Sequence, residues 1–193
     1  MQEIRKAIRD KYADVSVSAE GKFQYPTGRE GAKALGYDPV ILEKAHDRFF
    51  ESSCGVGNPF SLGRIRLGEA ILDFGCGAGF DLFVASKLVG ESGRICGIDL
   101  TEDMVVRARE NLTLAGIKNF EIKKVDTETI PFDDHSFDVV MSNGVINLSP
   151  HKETTLAEIY RVLKPEGRLQ FADVVLEKDL PASLAGSADA WSQ

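Results

Sequence analysis

From Ala70 onward the chain alternates short apolar runs with stretches of helical period. Ala70–Phe74 is an apolar run that carries Asp73 near its end and then breaks into glycines, as a buried strand entering a tight turn would. Phe80–Val89 is mostly apolar and is stopped by Gly90, and Arg94–Asp99 is again strand-like. Thr101–Ala115 puts Met104, Ala108, Leu112 and Ala115 on one helical face, with Thr101 as a candidate N-cap and Gly116 just past the end. Phe120–Val125 alternates apolar and polar positions like a half-buried strand. A polar turn at Asp133–Ser136 leads into a fourth strand at Asp138–Met141. Thr155–Leu163 offers Leu156, Ile159, Tyr160 and Leu163 as a buried stripe, and Pro165–Glu166–Gly167 turns the chain into a fifth strand at Arg168–Asp173. Strands alternating with helices at this spacing predict an α/β fold with a parallel sheet and right-handed crossovers.

The first 67 residues read differently. Ile4–Tyr12 and Pro39–Phe50 have the pattern of amphipathic helices, and the segment between them, rich in Gly, Pro and Tyr, shows no clear period. Residues 1–67 are therefore expected to form a helical cap over the crevice of a domain spanning residues 68–193. Phe23, Tyr25, Tyr37, Phe49 and Phe50 make this segment too aromatic for a mobile tail.

Composition narrows the function classes. The 43% hydrophobic and 27% charged content suits a globular domain with a real core. A formal net charge of −7 argues against a surface built to neutralise phosphates, so no nucleic-acid partner is expected. No apolar stretch is long enough to span a bilayer, and the first residues lack a signal-peptide core, so no membrane partner is expected either. Cys54, Cys76 and Cys96 are odd in number and have no CxxC spacing, which points to a reducing cytoplasm. Cys76 and Cys96 are expected to be small buried residues. His46, His135 and His151 show no ligand spacing, no metal is expected, and Glu153 and Glu158 are read as solvated helix residues.

The chemistry centres on Asp73-Phe74-Gly75-Cys76-Gly77-Ala78-Gly79, which ends one strand and opens a helix. Glycines here allow positive φ and close approach of a ligand to the backbone. The turn alone is shared with dinucleotide and phosphate sites. Asp73 discriminates, because a carboxylate at this place repels a pyrophosphate but suits an ammonium or a sulfonium. The spacing GxGxG also departs from the dinucleotide pattern. Asp99 ends the second strand, where an acid can accept from both hydroxyls of a ribose. Asp126 follows the third strand and is a candidate partner for an exocyclic amine, with the Thr127 amide on a ring nitrogen.

With these residues in place, the stretches LDFGCGAG, GIDLT, VDTETIPF, FDVVMSN and EIYRVLKPEGRL resemble the class I S-adenosylmethionine-dependent methyltransferases. The resemblance runs from about Gly68 to Asp173. It implies a Rossmann-like sheet of order 3-2-1-4-5 and S-adenosylmethionine as cofactor. The cofactor's amine would lie near Asp73, Gly75, Cys76, Gly77 and Gly79, its ribose on Asp99, and its adenine between Asp126–Thr127 and apolar side chains such as Leu100. Met104 and Asn143 complete the implied set. Few residues follow Asp173, so the last two strands usual in this class are expected to be missing. That would leave an exposed fifth-strand edge through which a homodimer could form.

A narrower resemblance, carried by YPTGREGAKALGYDP, SSCGVGNPFSLG, LVGESGRICGIDLTEDM and SNGVINLSPHKETTLAEIYRVLKPEGRLQFADVV, is to the bacterial arsenite methyltransferases. It implies trivalent arsenic, or a related small-molecule acceptor, held by soft thiolates and attacking with its own lone pair. Cys54 matches a family cysteine and is the candidate substrate residue. The family's SNCVINL reads Ser142-Asn143-Gly144-Val145-Ile146-Asn147-Leu148 here, so a second thiolate is absent. Two other readings stay open: a methyltransferase for an organic small molecule, and a cofactor-binding homologue without turnover.

Overall fold

The computed structural model describes residues 2–175. Five parallel strands, β1 (Ala70–Phe74), β2 (Arg94–Asp99), β3 (Phe120–Lys124), β4 (Phe137–Asn143) and β5 (Leu163–Ala172), form one sheet in the order β3-β2-β1-β4-β5. The expected order and fold class hold. What happens after Val175, including the expected absence of two further strands, lies outside the described residues.

Four helices precede β1: α1 (Gln2–Val17), α2 (Gly28–Ala34), α3 (Pro39–Lys44) and α4 (Arg48–Glu51). Among the described residues three α-helices follow it: α5 (Phe80–Val89) after β1, α6 (Glu102–Leu114) after β2 and α7 (Lys152–Val162) between β4 and β5. Helix α5 is apolar nearly all round because it is covered twice. Phe80, Phe83 and Val84 share one core cluster with sheet residues Ile71 and Val139 and with Tyr37, Phe49 and Phe50 of the N-terminal segment. Phe49 and Phe83 stack with ring centroids 4.8 Å apart. The N-terminal segment therefore shares the main core instead of closing one of its own. On the opposite face of the sheet, Leu72, Cys96, Val140 and Phe137 pack with Ile159 and Val162 of α7.

The structure corrects several local expectations. The segment read as having no period contains α2. The helix expected over Pro39–Phe50 is two short ones: α3 starts well, with Asp38 capping the Val40 amide and Pro39 in the first turn. It ends because Arg29 takes its final carbonyls, Leu42 and Ala45 O at 2.8 and 3.2 Å, and His46 Nδ1 accepts the Arg48 amide. On α7 the buried positions are Thr155, Ile159 and Val162, whereas Leu156 and Tyr160 are 45% and 80% exposed. Strand β5 begins at Leu163, directly after α7, and the expected turn survives as an irregularity in which Glu166 takes φ 65°. Glu158 is not a solvated residue: its carboxylate accepts the Ile130 amide at 2.9 Å and pairs with Arg161.

Candidate active site

One cavity opens over the carboxyl ends of β1, β2 and β4, where open α/β sheets bind ligands. Its floor is the turn from β1 into α5. Gly75, Gly77 and Gly79 take φ of 81°, 49° and 87°, so the spacing of glycines answers a backbone need at each position. Gly75 is also sterically required, because a Cβ there would lie 2.4 Å from the Val145 side chain. Gly77 is open: only Met104 Sδ comes within 4.0 Å of the place its Cβ would take.

Two acids face this floor. Asp73 is buried at the end of β1, and no donor among the described residues meets its carboxylate. Burial, then the nearby Asp81 and Asp99, push its carboxyl well above the ordinary range. Asp99 closes β2, and its two oxygens accept from Gly77 N and Thr101 N at 2.9 Å each. Burial raises its carboxyl, while those backbone donors oppose the rise. A carboxylate has about four acceptor positions, so Asp99 both pins the glycine turn and keeps acceptor capacity toward the cavity. Thr101, expected to cap α6 through its hydroxyl, sits at the N-cap position without a side-chain cap bond.

These features fit S-adenosylmethionine. A buried carboxylate without a donor suits an ammonium group. The unobstructed backbone at Gly77 admits a ligand at close range, and Asp99 can still accept from a diol. Leu100, Met104 and Thr127 line the same cavity, as does Cys76, whose sulfur fills the space beside Gly97. Asp73, Gly75, Cys76, Gly77, Asp99, Leu100, Met104 and Thr127 are thus brought together.

Two of the expected cofactor residues, Asp126 and Gly79, stand outside the cavity, and a third, Asn143, lines it with its amide engaged. Asp126 does not line the cavity; its side chain is 66% exposed and bonds Lys124 at 2.6 Å, with Arg9 3.8 Å away. Those cations hold its carboxyl below the usual range. The backbone after β3 turns Glu128 inward in its place, a position the sequence reading missed. Gly79 lies behind the cavity, against Ala108 of α6, where it starts α5. Asn143 reaches the cavity wall, but its amide is fully engaged. Oδ1 accepts from Val56 N and Gly57 N at 2.8 and 3.1 Å, and Nδ2 faces Gly57 O, Tyr37 Oη and Asp81 Oδ2 at 2.9, 3.1 and 3.1 Å.

The opposite wall comes from the N-terminal segment. Arg5, Ile8 and Tyr12 of α1, then Pro26, Thr27, Cys54 and Gly55, face the cavity. Helix α1 is fastened at both ends. Arg5 Nη2 donates to both oxygens of Glu128, Oε1 at 2.8 Å and Oε2 at 2.6 Å. Arg107 of α6 takes the Ser16 and Val17 carbonyls and pairs with Glu51. Cys54 is half-buried on this wall, with its carbonyl accepting from Tyr25 Oη at 3.0 Å. Burial pushes its thiol up to about 12, partly opposed by Lys11 and reinforced by Asp99. Cys76 and Cys96 are buried, as their setting in the sequence implied. Gly144, which stands where the related motif has cysteine, takes φ 73° with a notional Cβ 3.4 Å from Val56.

Comparison with known proteins agrees with this geometry. Residues 65–193 match the methyltransferase domain family. The chain is 34% identical to an arsenite methyltransferase of Halobacterium salinarum, over 93% of this chain and 49% of the relative. It is similar to the crystal structure of an arsenic (III) S-adenosylmethionine methyltransferase from Chlamydomonas reinhardtii (TM-score 0.63, 33% identity, 86% of this chain and 57% of that one). It is also similar to a SAM dependent methyltransferase from Aquifex aeolicus (TM-score 0.57, 30% identity, 82% and 80% of the two chains). The chain spans about half the length of the curated relatives it matches.

Proposed function

The chain belongs to the S-adenosylmethionine-dependent methyltransferases, and on that footing we propose that it methylates trivalent arsenic or a related small acceptor held beside Cys54. The observation that carries this reading is the meeting in one cavity of a cofactor wall (Asp73, the glycine turn, Asp99) and a thiol-bearing wall from the N-terminal segment. When bound, the cofactor supplies a methyl group already activated by a positive sulfur. The chain's residues have three tasks. Asp73 receives the cationic amine, Asp99 orients the ribose while fixing the Gly77 amide, and α1 with the Arg5–Glu128 pair excludes water. Cys54 stays a thiol at neutral pH. It joins arsenic by exchange, forming an As–S bond as an As–OH bond breaks, with the thiol proton leaving in water. No general base is needed, since arsenic attacks with its own lone pair.

Gly144 limits this site. One thiol remains where the related motif supplies another, and each partner lost from a multidentate site costs orders of magnitude in affinity. Weak arsenic binding is therefore expected of this chain. The same glycine, with Val145, Leu148 and Pro26 nearby, favours a second reading in which the acceptor is an organic small molecule. Incubation with S-adenosylmethionine, arsenite and glutathione distinguishes them. Slow methylation that disappears in Cys54→Ser supports arsenic. Turnover unaffected by Cys54→Ser refutes it. Cofactor binding without turnover on any acceptor would mean a homologue that no longer catalyses. The three free cysteines suit the reducing cytoplasm, where we place this activity. The outer edge of β5, unpaired among the described residues, is the proposed homodimer contact.

A further inference from the structure

The Asn143 amide is taken up entirely by other parts of the chain, which leaves it no capacity for a ligand. Its carbonyl oxygen takes the amides of Val56 and Gly57, and its NH₂ faces the Gly57 carbonyl, the Tyr37 hydroxyl and the Asp81 carboxylate. Tyr37 in turn donates to Asp81 Oδ1 at 2.7 Å. Four parts of the chain meet here: the loop before α3, the Val56–Gly57 segment after α4, the first turn of α5 and the end of β4.

Contact geometry makes the cluster a bridge. Asp81 sits two residues past Gly79, so it moves with the glycine turn. Two residues after Asn143, the Val145 side chain lies against Gly75, where a Cβ would come within 2.4 Å. On the other side the Asn143 amide lies flat on Gly55, whose notional Cβ would meet Nδ2 at 2.4 Å. Gly55 is the neighbour of Cys54. The end of β4 is thus wedged between the turn that receives the cofactor and the loop that carries the thiol. Buried networks with every member satisfied hold a single geometry better than apolar contacts of similar size.

Building on the methyltransferase reading, we propose that Tyr37, Asp81 and Asn143 are positioning residues that lock the Cys54–Gly57 loop to the glycine turn, setting the distance between acceptor and cofactor. Their polar atoms are spent on one another and on the loop, although all three line the cavity. Cutting the lock leaves the cofactor wall in place and frees the thiol-bearing loop.

The test is alkylation of the whole chain by iodoacetamide, followed at each cysteine by peptide-resolved mass spectrometry, in wild type, Tyr37→Phe and Asn143→Ala. Calorimetry with S-adenosylhomocysteine runs alongside. Tyr37→Phe removes only an oxygen and keeps the ring in its packing against Phe80. In both variants Cys54 should react about tenfold faster or more, as local opening of one loop requires, while Cys76 and Cys96 change by less than about twofold. S-adenosylhomocysteine affinity in Tyr37→Phe should stay within about threefold of wild type, and where turnover is measurable its rate should fall without a matching change in the cofactor KM. An unchanged Cys54 rate in Tyr37→Phe overturns the proposal. So does a parallel rise at all three cysteines in that variant, which would mean general loosening. If Asn143→Ala alone loosens everywhere, Tyr37→Phe decides. Failure of wild type to bind S-adenosylhomocysteine would instead strike the underlying reading, and the two failures are told apart by the calorimetry.

Discussion

The two walls of the cavity are built in different ways. The cofactor wall is the end of a regular sheet: β1, β2 and β4 fix where Asp73, Asp99 and Val145 stand, and the glycine turn follows from their register. The thiol-bearing wall contains no strand. Its short helices are held by long-range side-chain bonds, such as Arg29 to the end of α3, Arg107 to the end of α1 and Asn143 to the Cys54–Gly57 loop. Backbone ladders make the first wall rigid at the expense of choice. Side-chain anchors hold the second wall without pairing it to the sheet. Gly144 follows the last paired residue of β4 and faces Val56 of the second wall.

Two glycines sharpen this contrast. Gly75 and Gly36 both have positive φ, 81° and 76°, but a Cβ at Gly75 would strike Val145 and one at Gly36 would meet nothing within 4 Å. Gly75→Ala should abolish measurable S-adenosylhomocysteine binding, a loss of about 3 kcal/mol or more from backbone strain and overpacking together. Gly36→Ala should cost only about 1 kcal/mol of stability and leave binding unchanged. Equal effects at both sites would break the distinction between the walls.

Asp73→Asn separates stability from function. The carboxyl of Asp73 is raised in the folded chain, so its contribution to stability is present below the unfolded carboxylate range and is lost as pH rises toward the folded value. Free wild type should therefore lose stability between acid and neutral pH relative to Asp73→Asn. At neutral pH the variant should melt a few degrees higher, a gain on the order of 1 kcal/mol. It should also bind S-adenosylhomocysteine much more weakly, because the ammonium loses its counter-charge. Thermal scans at pH 5 and 7.5 check the first statement. A variant less stable than wild type at pH 7.5 would contradict it.

Gly144→Cys tests the second wall. Left-handed backbone and the nearby Val56 should cost about 1–2 kcal/mol of stability. Arsenite retention should nonetheless rise, and the rise should vanish in Gly144→Cys combined with Cys54→Ser. The smallest effect expected is at the fastening of α1. Arg5→Ala removes a partly buried ion pair and should speed cofactor dissociation several-fold, equivalent to about 1 kcal/mol, with less effect at high salt.

The same division explains what the sequence disclosed. Strands β1 to β4, the glycine turn and the acids Asp73 and Asp99 are legible because apolar periodicity and strand ends are local signals. Helix α2 and the break between α3 and α4 were missed, since the first helix is short and the second boundary is made by Arg29 from outside. Tyr37, Asp81 and Glu128 gave no sign of their roles, because each depends on a partner remote in the chain. Asp126 stands outside the cavity because Lys124 and Arg9 draw its carboxylate outward, and Arg9 lies too far off in the chain to be read from local pattern. Asn143 lines the cavity, but its partners Val56, Gly57, Tyr37 and Asp81 lie far off in the chain and left no local signal.

The central claim is that the cavity over β1 and β2 holds S-adenosylmethionine with Asp99 on its ribose. Calorimetric titration of wild type and Asp99→Ala with S-adenosylhomocysteine tests it most directly. Wild type should bind one equivalent. Asp99→Ala should lose roughly 2–4 kcal/mol of binding free energy, through two charge-assisted hydrogen bonds to the ribose and through release of the Gly77 amide. Absence of binding by wild type, or equal affinity in the two proteins, would contradict the account.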